Sequence, residues 1–80
     1  MQPDAEVKPD VYWDVGDLSC GQLLVKLKLA FRDEFAPGEV LHLTATGEGI
    51  FIDVTAWCGL TGNTLVYSDP PTFIIRKKED

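Results

Sequence analysis

Leu18-Ser19-Cys20-Gly21-Gln22 decides how the rest of the chain is arranged, because it joins a short apolar segment to the longest amphipathic run. Ser19 followed three residues later by Gln22 is a capping-box pattern, which is typical of a helix N-terminus. Cys20 is then the first helical residue, beside unpaired backbone N–H groups and the positive end of the helix dipole. Both features favour the thiolate, the nucleophilic form of cysteine. The stretch therefore predicts a nucleophile or sulfur carrier at Cys20, or alternatively a small buried hydrophobe that starts a helix.

The segments on either side of this stretch predict a strand and a long helix. Residues 11–15 are β-branched and aromatic, which is typical of a strand. The helix is predicted over residues 20–35, and Ala36-Pro37-Gly38 terminates it. Its core face consists of the apolar residues that recur at helical spacing: Leu23, Leu24, Leu27, Ala30, Phe31 and Phe35. Val25 and Leu29 project away from that face, either as an exposed apolar pair or against a further covering layer.

The middle of the chain predicts a second strand and a second helix. Residues 39–46 alternate between apolar and polar side chains, as in a half-buried strand. After a Gly-rich loop, residues 49–60 admit both a helix and a strand, because they contain many β-branched side chains. The Thr61-Gly62-Asn63 stop favours the helix. The apolar residues that match a helical period are Ile50, Val54, Trp57 and Cys58.

The last two short β-rich runs complete a recognisable order of elements. Residues 64–68 and 72–77 predict two strands joined by the Asp69-Pro70-Pro71 turn. The order βαβαββ predicts a two-layer α/β sandwich, with a mixed four-stranded sheet and both helices packed on one face. The first two strands are expected to be parallel, with a right-handed crossover. Cys20 then lies at the carboxyl end of the first strand, where open α/β sheets place their chemistry.

Length and charge restrict the function. Eighty residues make one domain, predicted over residues 11–80, behind a flexible tail at residues 1–10 that contains two prolines and three acidic side chains. The net charge of −6 argues against a general nucleic-acid or anionic-membrane binder, since phosphate contacts need a basic surface. No apolar run approaches the roughly 20 residues of a membrane span, so no membrane insertion is expected.

The cysteines and the single histidine give little support for metal chemistry. Two cysteines without a secretory signal fit a reducing cytoplasm. With neither a CxxC motif nor a His/Cys cluster, no metal or cofactor is predicted. His42 lies on the outer face of its strand, where a solvated histidine is commoner than a catalytic one. Cys58 is either a packed small hydrophobe or, if it is exposed near Cys20, a second thiol.

Several segments in order resemble the TusA-like (SirA-like) sulfur-carrier family. The resemblance covers residues 13–77. It begins with the short strand and turn before Cys20. The later matching segments are Pro37-Gly38-Glu39, Asp53-Val54-Thr55-Ala56-Trp57-Cys58, Thr61-Gly62-Asn63-Thr64-Leu65 and Phe73-Ile74-Ile75-Arg76-Lys77. The resemblance implies a two-layer α/β sandwich with a mixed four-stranded sheet.

The resemblance also implies a function and partners. Members of the family carry sulfane sulfur as a persulfide on a cysteine at the position of Cys20. They receive it from a cysteine desulfurase or rhodanese-like donor and pass it to an acceptor protein, without a cofactor. The family signature Cys-Pro-x-Pro reads Cys20-Gly21-Gln22-Leu23 here, so both prolines are missing. Without them the first helical turn is less rigid, since proline fixes φ and glycine does not.

The helix start predicts a Cys20 pKa modestly below the free-thiol value of about 8.5. Ser19 supports the predicted N-terminus, and the backbone N–H groups of Gly21 and Gln22 add to the field that favours the thiolate. A carboxylate of Asp17 turned toward the sulfur would oppose it. Two further hypotheses are a non-catalytic adaptor on the same fold, suggested by the lost prolines and the Val25/Leu29 pair, and an RNA-binding domain, which the net charge disfavours.

Overall fold

Strands and helices follow one another in the predicted βαβαββ order. The structure is a computed structural model that describes residues 9–47 and 49–79. Its elements are β1 (Val11–Gly16), α1 (Cys20–Asp33), β2 (Val40–Ala45), α2 (Ile50–Thr61), β3 (Thr64–Asp69) and β4 (Thr72–Arg76). Residues 1–8 of the predicted tail, and Glu48 of the predicted loop, lie outside the described residues.

The four strands form one mixed sheet in the order β1-β2-β4-β3. β1 is parallel to β2, whereas β4 runs antiparallel to both β2 and β3. Gly16 and Ala45 are paired at the carboxyl ends of the two parallel strands, and each of those strands leads into a helix. The sheet therefore brings the starts of α1 and α2 to the same edge, and the predicted two-layer sandwich is confirmed.

Helix α1 begins where the capping pattern predicts and ends two residues earlier than predicted. Ser19 is the N-cap and Cys20 is the first helical residue. The C-cap is Glu34, whose N–H donates to the Ala30 carbonyl at 2.7 Å. The predicted end at Phe35 is thus wrong, although Phe35 stays buried and stacks on Phe31 at 4.6 Å between ring centroids. An apolar residue just beyond a helix extends the helical pattern without extending the helix.

Helix α2 is a helix and not the competing strand. Gly49 and Gly62 flank it in the left-handed conformation, with φ of 78° and 82°, which glycine adopts without the steric cost of a side chain. The Gly62 N–H donates to the Cys58 carbonyl at 3.0 Å and closes the last turn, as the predicted stop requires. Because α2 has no side-chain cap at its N-terminus, its start carries no sequence signal like that of Ser19.

The core lies between the two helices and one face of the sheet. Alternate residues of the central strands face the helices: Leu41, Leu43, Phe73 and Ile75, all 0% exposed. The helices contribute the predicted residues Leu23, Leu27, Ala30, Phe31, Ile50, Val54, Trp57 and Cys58. Both helices therefore pack on one face, as predicted. Among the described residues, no helix is long and apolar enough to cross a membrane.

The first described residues are tied to the sheet. The Asp10 N–H donates to the Val40 carbonyl at 2.8 Å, and the Asp10 carboxylate accepts from the Val40 N–H at 2.9 Å. The last residue of the predicted tail therefore belongs to the folded domain, because an aspartate beside a strand end satisfies the free N–H of that strand.

Candidate functional site

Cys20 lies where the two strand-to-helix connections meet. It is half-buried, and the last residues of β1 lie just before it in the chain. A side chain added at Gly49 would place its Cβ 3.8 Å from the Cys20 sulfur. One added at Gly47 would come within 3.1 Å of the Leu18 carbonyl oxygen. The glycines before α2 therefore let its N-terminus approach the thiol at the N-terminus of α1.

The predicted supporting residues hold the start of α1. The Gln22 N–H donates to the Ser19 hydroxyl oxygen at 3.3 Å, and that hydroxyl donates to the Gln22 side-chain oxygen at 3.0 Å. Gly21 is exposed, and a side chain there would meet nothing within 4 Å. Asp17 is exposed in the turn between β1 and α1. The cap thus fixes the helix start at Cys20, and the Gly21 backbone beside it faces open space.

The Asp53 carboxylate raises the pKa of Cys20. The predicted lowering of the Cys20 pKa is therefore wrong. A hydrogen bond with the Asp53 side chain raises the pKa of Cys20 above the ordinary value of 9.0, and desolvation and the negative charge of Asp53 act in the same direction. Only the backbone N–H of Cys20 opposes them. The helix dipole favours the thiolate as expected, but a carboxylate in the first turn of α2 outweighs it.

The acidic residue weighed from the sequence was the wrong one. Asp17 stands three residues before Cys20 and was the obvious candidate, whereas Asp53 is 33 residues away in the chain. The available signal was the parallel pairing of the first two strands, since it brings the first turns of both helices together. An acidic residue in the first turn of the second helix is then a neighbour of a cysteine in the first.

Cys58 is a packed core residue. It is 4% exposed, and desolvation raises the pKa of its thiol to about 11. It follows Gly49 by nine residues, which corresponds to about 13 Å along the helix. The condition for a second thiol, exposure close to Cys20, is not met, and the alternative of a small buried hydrophobe describes the residue.

His42 does not join Cys20 in a site. Its side chain lies on the face of the sheet opposite to the helices, where its ring is 5.1 Å from that of Tyr12. Among residues 9–47 and 49–79, no group of three or more His, Cys, Asp or Glu side chains could hold a metal ion. The side chains that meet at this site are the Cys20 thiol and the Asp53 carboxylate.

Large apolar side chains are exposed on both helices, and those on α2 were not predicted from the sequence. Phe51 and Ile52, in the first turn of α2, are 49% and 69% exposed, and Leu60 at the other end of that helix is 88% exposed. The predicted pair Val25 and Leu29 is also exposed on α1. A helix that is apolar all round, like α2, is normally covered. The exposed apolar residues of the two helices are therefore candidate contact residues. We call them the exposed helix surface: Val25, Leu29, Phe51, Ile52 and Leu60.

A shallow cleft lies on the sheet side of the same region. It has a volume of about 400 Å³ and is lined by Ala45, Thr46, Gly47, Gly49, Ile50, Phe51, Pro70 and Pro71. Gly49 contributes both to this cleft and to the surroundings of the Cys20 sulfur.

No family model matches the chain, and no curated protein matches it. The fold and the geometry around Cys20 are therefore the grounds on which a function is proposed.

Proposed function

We propose that the protein is a cytoplasmic sulfur carrier that holds sulfane sulfur as a persulfide on Cys20. The supporting observation is the position of an accessible thiol between two helix N-termini, at the carboxyl ends of two parallel strands. The backbone N–H of Cys20 favours an anionic sulfur, and the Asp53 carboxylate opposes it. We also propose, from the resemblance to the TusA-like family, that a cysteine desulfurase or a rhodanese-like protein donates the sulfur and that another protein accepts it.

The transfer needs no cofactor and no external oxidant. The Cys20 thiolate attacks the outer sulfur of a donor persulfide. A bond forms between the Cys20 sulfur and that sulfane sulfur, the S–S bond within the donor breaks, and the donor leaves as a thiolate. The proton from the Cys20 thiol ends on the donor sulfur. Passing the sulfur to an acceptor thiol repeats the exchange in the other direction.

Asp53 has two opposite effects on this reaction. It holds Cys20 as a thiol, because its hydrogen bond and its charge raise the pKa of Cys20. It is also positioned to accept the S–H proton as the sulfur attacks, which is the arrangement of a nucleophile next to a base. The raised pKa lowers the thiolate fraction of Cys20 at neutral pH, and the thiolate is the form that reacts with alkylating agents and oxidants.

The sulfur-carrier proposal is tested by loading. The protein is incubated with a persulfide-generating donor and then weighed intact by mass spectrometry. We expect a gain of one sulfur atom that reductant removes. Cys58→Ala should load like the wild type, and Cys20→Ser should not load. Absence of the adduct from wild-type protein, or an adduct that remains in Cys20→Ser, contradicts the proposal.

The alternative is a non-catalytic adaptor, which the exposed helix surface favours. Three large apolar side chains on the outer face of α2 are more than that helix needs for its own fold. An adaptor would use them for docking and would not require Cys20. A donor desulfurase immobilised on resin separates the two functions. An adaptor would take up no sulfur in the loading experiment. Its Cys20→Ser variant would still bind to the desulfurase resin, and its Ile52→Lys variant would not.

A further inference from the structure

A second cleft lies at the end of the molecule away from Cys20. It has a volume of about 330 Å³ and is lined by Lys28, Phe31, Arg32, Trp57, Thr61, Asn63, Lys77 and Lys78. Lys28 and Arg32 follow Cys20 by eight and twelve residues, which places them about 12 and 18 Å further along α1. The cleft is therefore separate from the thiol and from the helix N-termini.

The charge of the cleft is opposite to that of the protein. The chain contains seven Lys and Arg residues and carries a net charge of −6, yet four of the seven line this one cleft. No acidic side chain is among its lining residues in the described part of the chain. Asp33 lies just outside, accepts two hydrogen bonds from Arg32 at 2.9 and 3.0 Å, and also interacts with the charge of Lys77, so it offsets positive charge at both residues. The remaining positive charge has no comparable counterpart within the cleft.

The polar wall of the cleft is held in place by its own hydrogen bonds. The Thr61 hydroxyl donates to the Trp57 carbonyl at 2.8 Å, and the Asn63 amide donates to the Thr61 hydroxyl at 2.9 Å. The Asn63 side-chain oxygen accepts from the Lys78 N–H at 3.0 Å. This chain of bonds ties the end of α2 to the segment after β4. The backbone that carries Lys78 is thus positioned before any ligand arrives, which lowers the entropic cost of binding.

Two of the cations are anchored by contacts within the protein: Arg32 by Asp33 and Lys77 by the Phe35 carbonyl. The Lys77 ammonium donates to the Phe35 carbonyl at 2.6 Å, which keeps its charge at the cleft. Lys28 and Lys78 are exposed. Two aromatic side chains also line the cleft, Phe31 at 3% and Trp57 at 9% exposure, and they meet edge to face at 5.2 Å. The cleft thus combines positive charge with an aromatic wall.

We propose that this cleft binds a small organic molecule that carries a phosphate or carboxylate group beside an apolar part. The anionic group would lie between Lys28, Lys77 and Lys78, and the apolar part would lie against the edges of Phe31 and Trp57. A volume of about 330 Å³ falls in the range of small-molecule sites, roughly 300–1,000 Å³. A folded acidic partner would need a broader and flatter surface. The site is independent of sulfur transfer and goes beyond the proposed function.

Tryptophan fluorescence tests the proposal directly, because one of the two tryptophans lines the cleft. Trp57 is part of the cleft, whereas Trp13 lies on β1 and is substituted in a Trp13→Phe background. The probe is adenosine monophosphate, which joins a phosphate to a planar ring system. We expect a saturable change in Trp57 emission that weakens as salt is added. Adenosine, which has the same ring without the phosphate, should bind at least about fivefold more weakly, as expected for lost charge-assisted hydrogen bonds.

Charge reversals on one helix provide the matched control. Lys28→Glu removes a cleft cation, and Lys26→Glu makes the same change in net charge outside the cleft, where Lys26 lies over Trp13 at 4.7 Å. Lys28→Glu and Lys78→Glu should each weaken binding by about tenfold, and Lys26→Glu by less than about twofold. Two-dimensional NMR of the labelled variants shows whether each one is folded, and it identifies the residues whose chemical shifts change when adenosine monophosphate is added.

Three results would overturn the proposal. The first is the absence of saturable binding by either fluorescence or NMR. The second is equal weakening by Lys26→Glu and Lys28→Glu, which would indicate attraction by overall charge. The third is binding of an acidic peptide with none of adenosine monophosphate, which would identify a protein-docking surface instead.

Discussion

The two helices begin at the same edge of the sheet and pack on the same face, but they differ in almost every other respect. α1 starts at a side-chain cap, Ser19, and its outer face carries Lys28 and Arg32 beside the apolar pair Val25 and Leu29. α2 starts at a left-handed glycine, and its outer face is apolar. Each helix also carries one cysteine, accessible at the start of α1 and buried near the end of α2. The comparison shows that position within the fold, and not residue type, separates a candidate nucleophile from a core residue.

The largest expected effect comes from removing the contact that joins the two helices. Phe31 of α1 packs edge to face on Trp57 of α2 and stacks on Phe35. Phe31→Ala should lower the free energy of unfolding by about 3–5 kcal/mol, a large part of the roughly 5–15 kcal/mol of a small domain. Urea denaturation measures it. Leu29→Ala, on the exposed face of the same helix, should cost less than about 1 kcal/mol, and equal losses would contradict the assigned core.

The buried cysteine predicts a dependence of the free energy of unfolding on pH. The pKa of Cys58 is about 11 in the folded protein, against an ordinary value of 9.0. Above pH 9 the unfolded chain loses this proton while the folded protein keeps it, so the free energy of unfolding falls as the pH rises through this window. With allowance for solvent screening, the loss between about pH 9 and 11 is roughly 1–2 kcal/mol.

A difference measurement isolates this contribution of Cys58. Tyrosines and lysines titrate in the same range, so the comparison is between wild type and Cys58→Ala by urea denaturation at each pH. The gap between the two proteins should narrow as the pH rises from 9 to 11. A constant gap would show that the Cys58 thiol titrates alike in the folded and unfolded states.

A smaller effect on the free energy of unfolding is expected from the side-chain cap of α1, which α2 lacks. Ser19→Ala removes the acceptor of the Gln22 N–H and should cost about 1 kcal/mol. Ser19→Gly should cost only a few tenths, since glycine is tolerated at this position. Thermal or urea unfolding measures both. Equal costs would mean that the side-chain hydrogen bond contributes little and that α1 is held by its core face alone.

The order of the elements and the start of α1 were predictable from the sequence, because they depend on residues close together in the chain. The exposed face of α2 and the Asp53–Cys20 contact were missed. The start of α1 was predicted because Ser19 and Gln22 are three residues apart, and the fold followed from the periods and turns between elements. The exposed face of α2 was missed because an apolar side chain carries no sign of whether a partner covers it. The Asp53 contact was missed because it joins the first turns of two helices that are distant in the chain, and only the predicted parallel pairing of the first two strands brings those turns together.

The smallest expected effect on stability is also the one that tests how α2 controls the thiol of α1. Asp53→Asn removes a negative charge while keeping the size of the side chain, and we expect the pKa of Cys20 to fall because the main causes of its elevation are removed. Below the pKa each unit changes the thiolate fraction about tenfold, so the rate of iodoacetamide alkylation at neutral pH should rise and its pH profile should move to lower pH. Cys58→Ala serves as the background. Asp17→Asn is the matched control, since it removes the same charge from the nearer position in the chain and should leave the profile almost unchanged.

Sulfur loading should respond differently from alkylation if Asp53 also accepts the proton. Asp53→Asn would then alkylate faster but load from a protein donor no faster than wild type. An unchanged alkylation profile in Asp53→Asn, or an equal shift in Asp17→Asn, would show that α2 does not set the ionisation of Cys20, and the two helices would then act independently at this site.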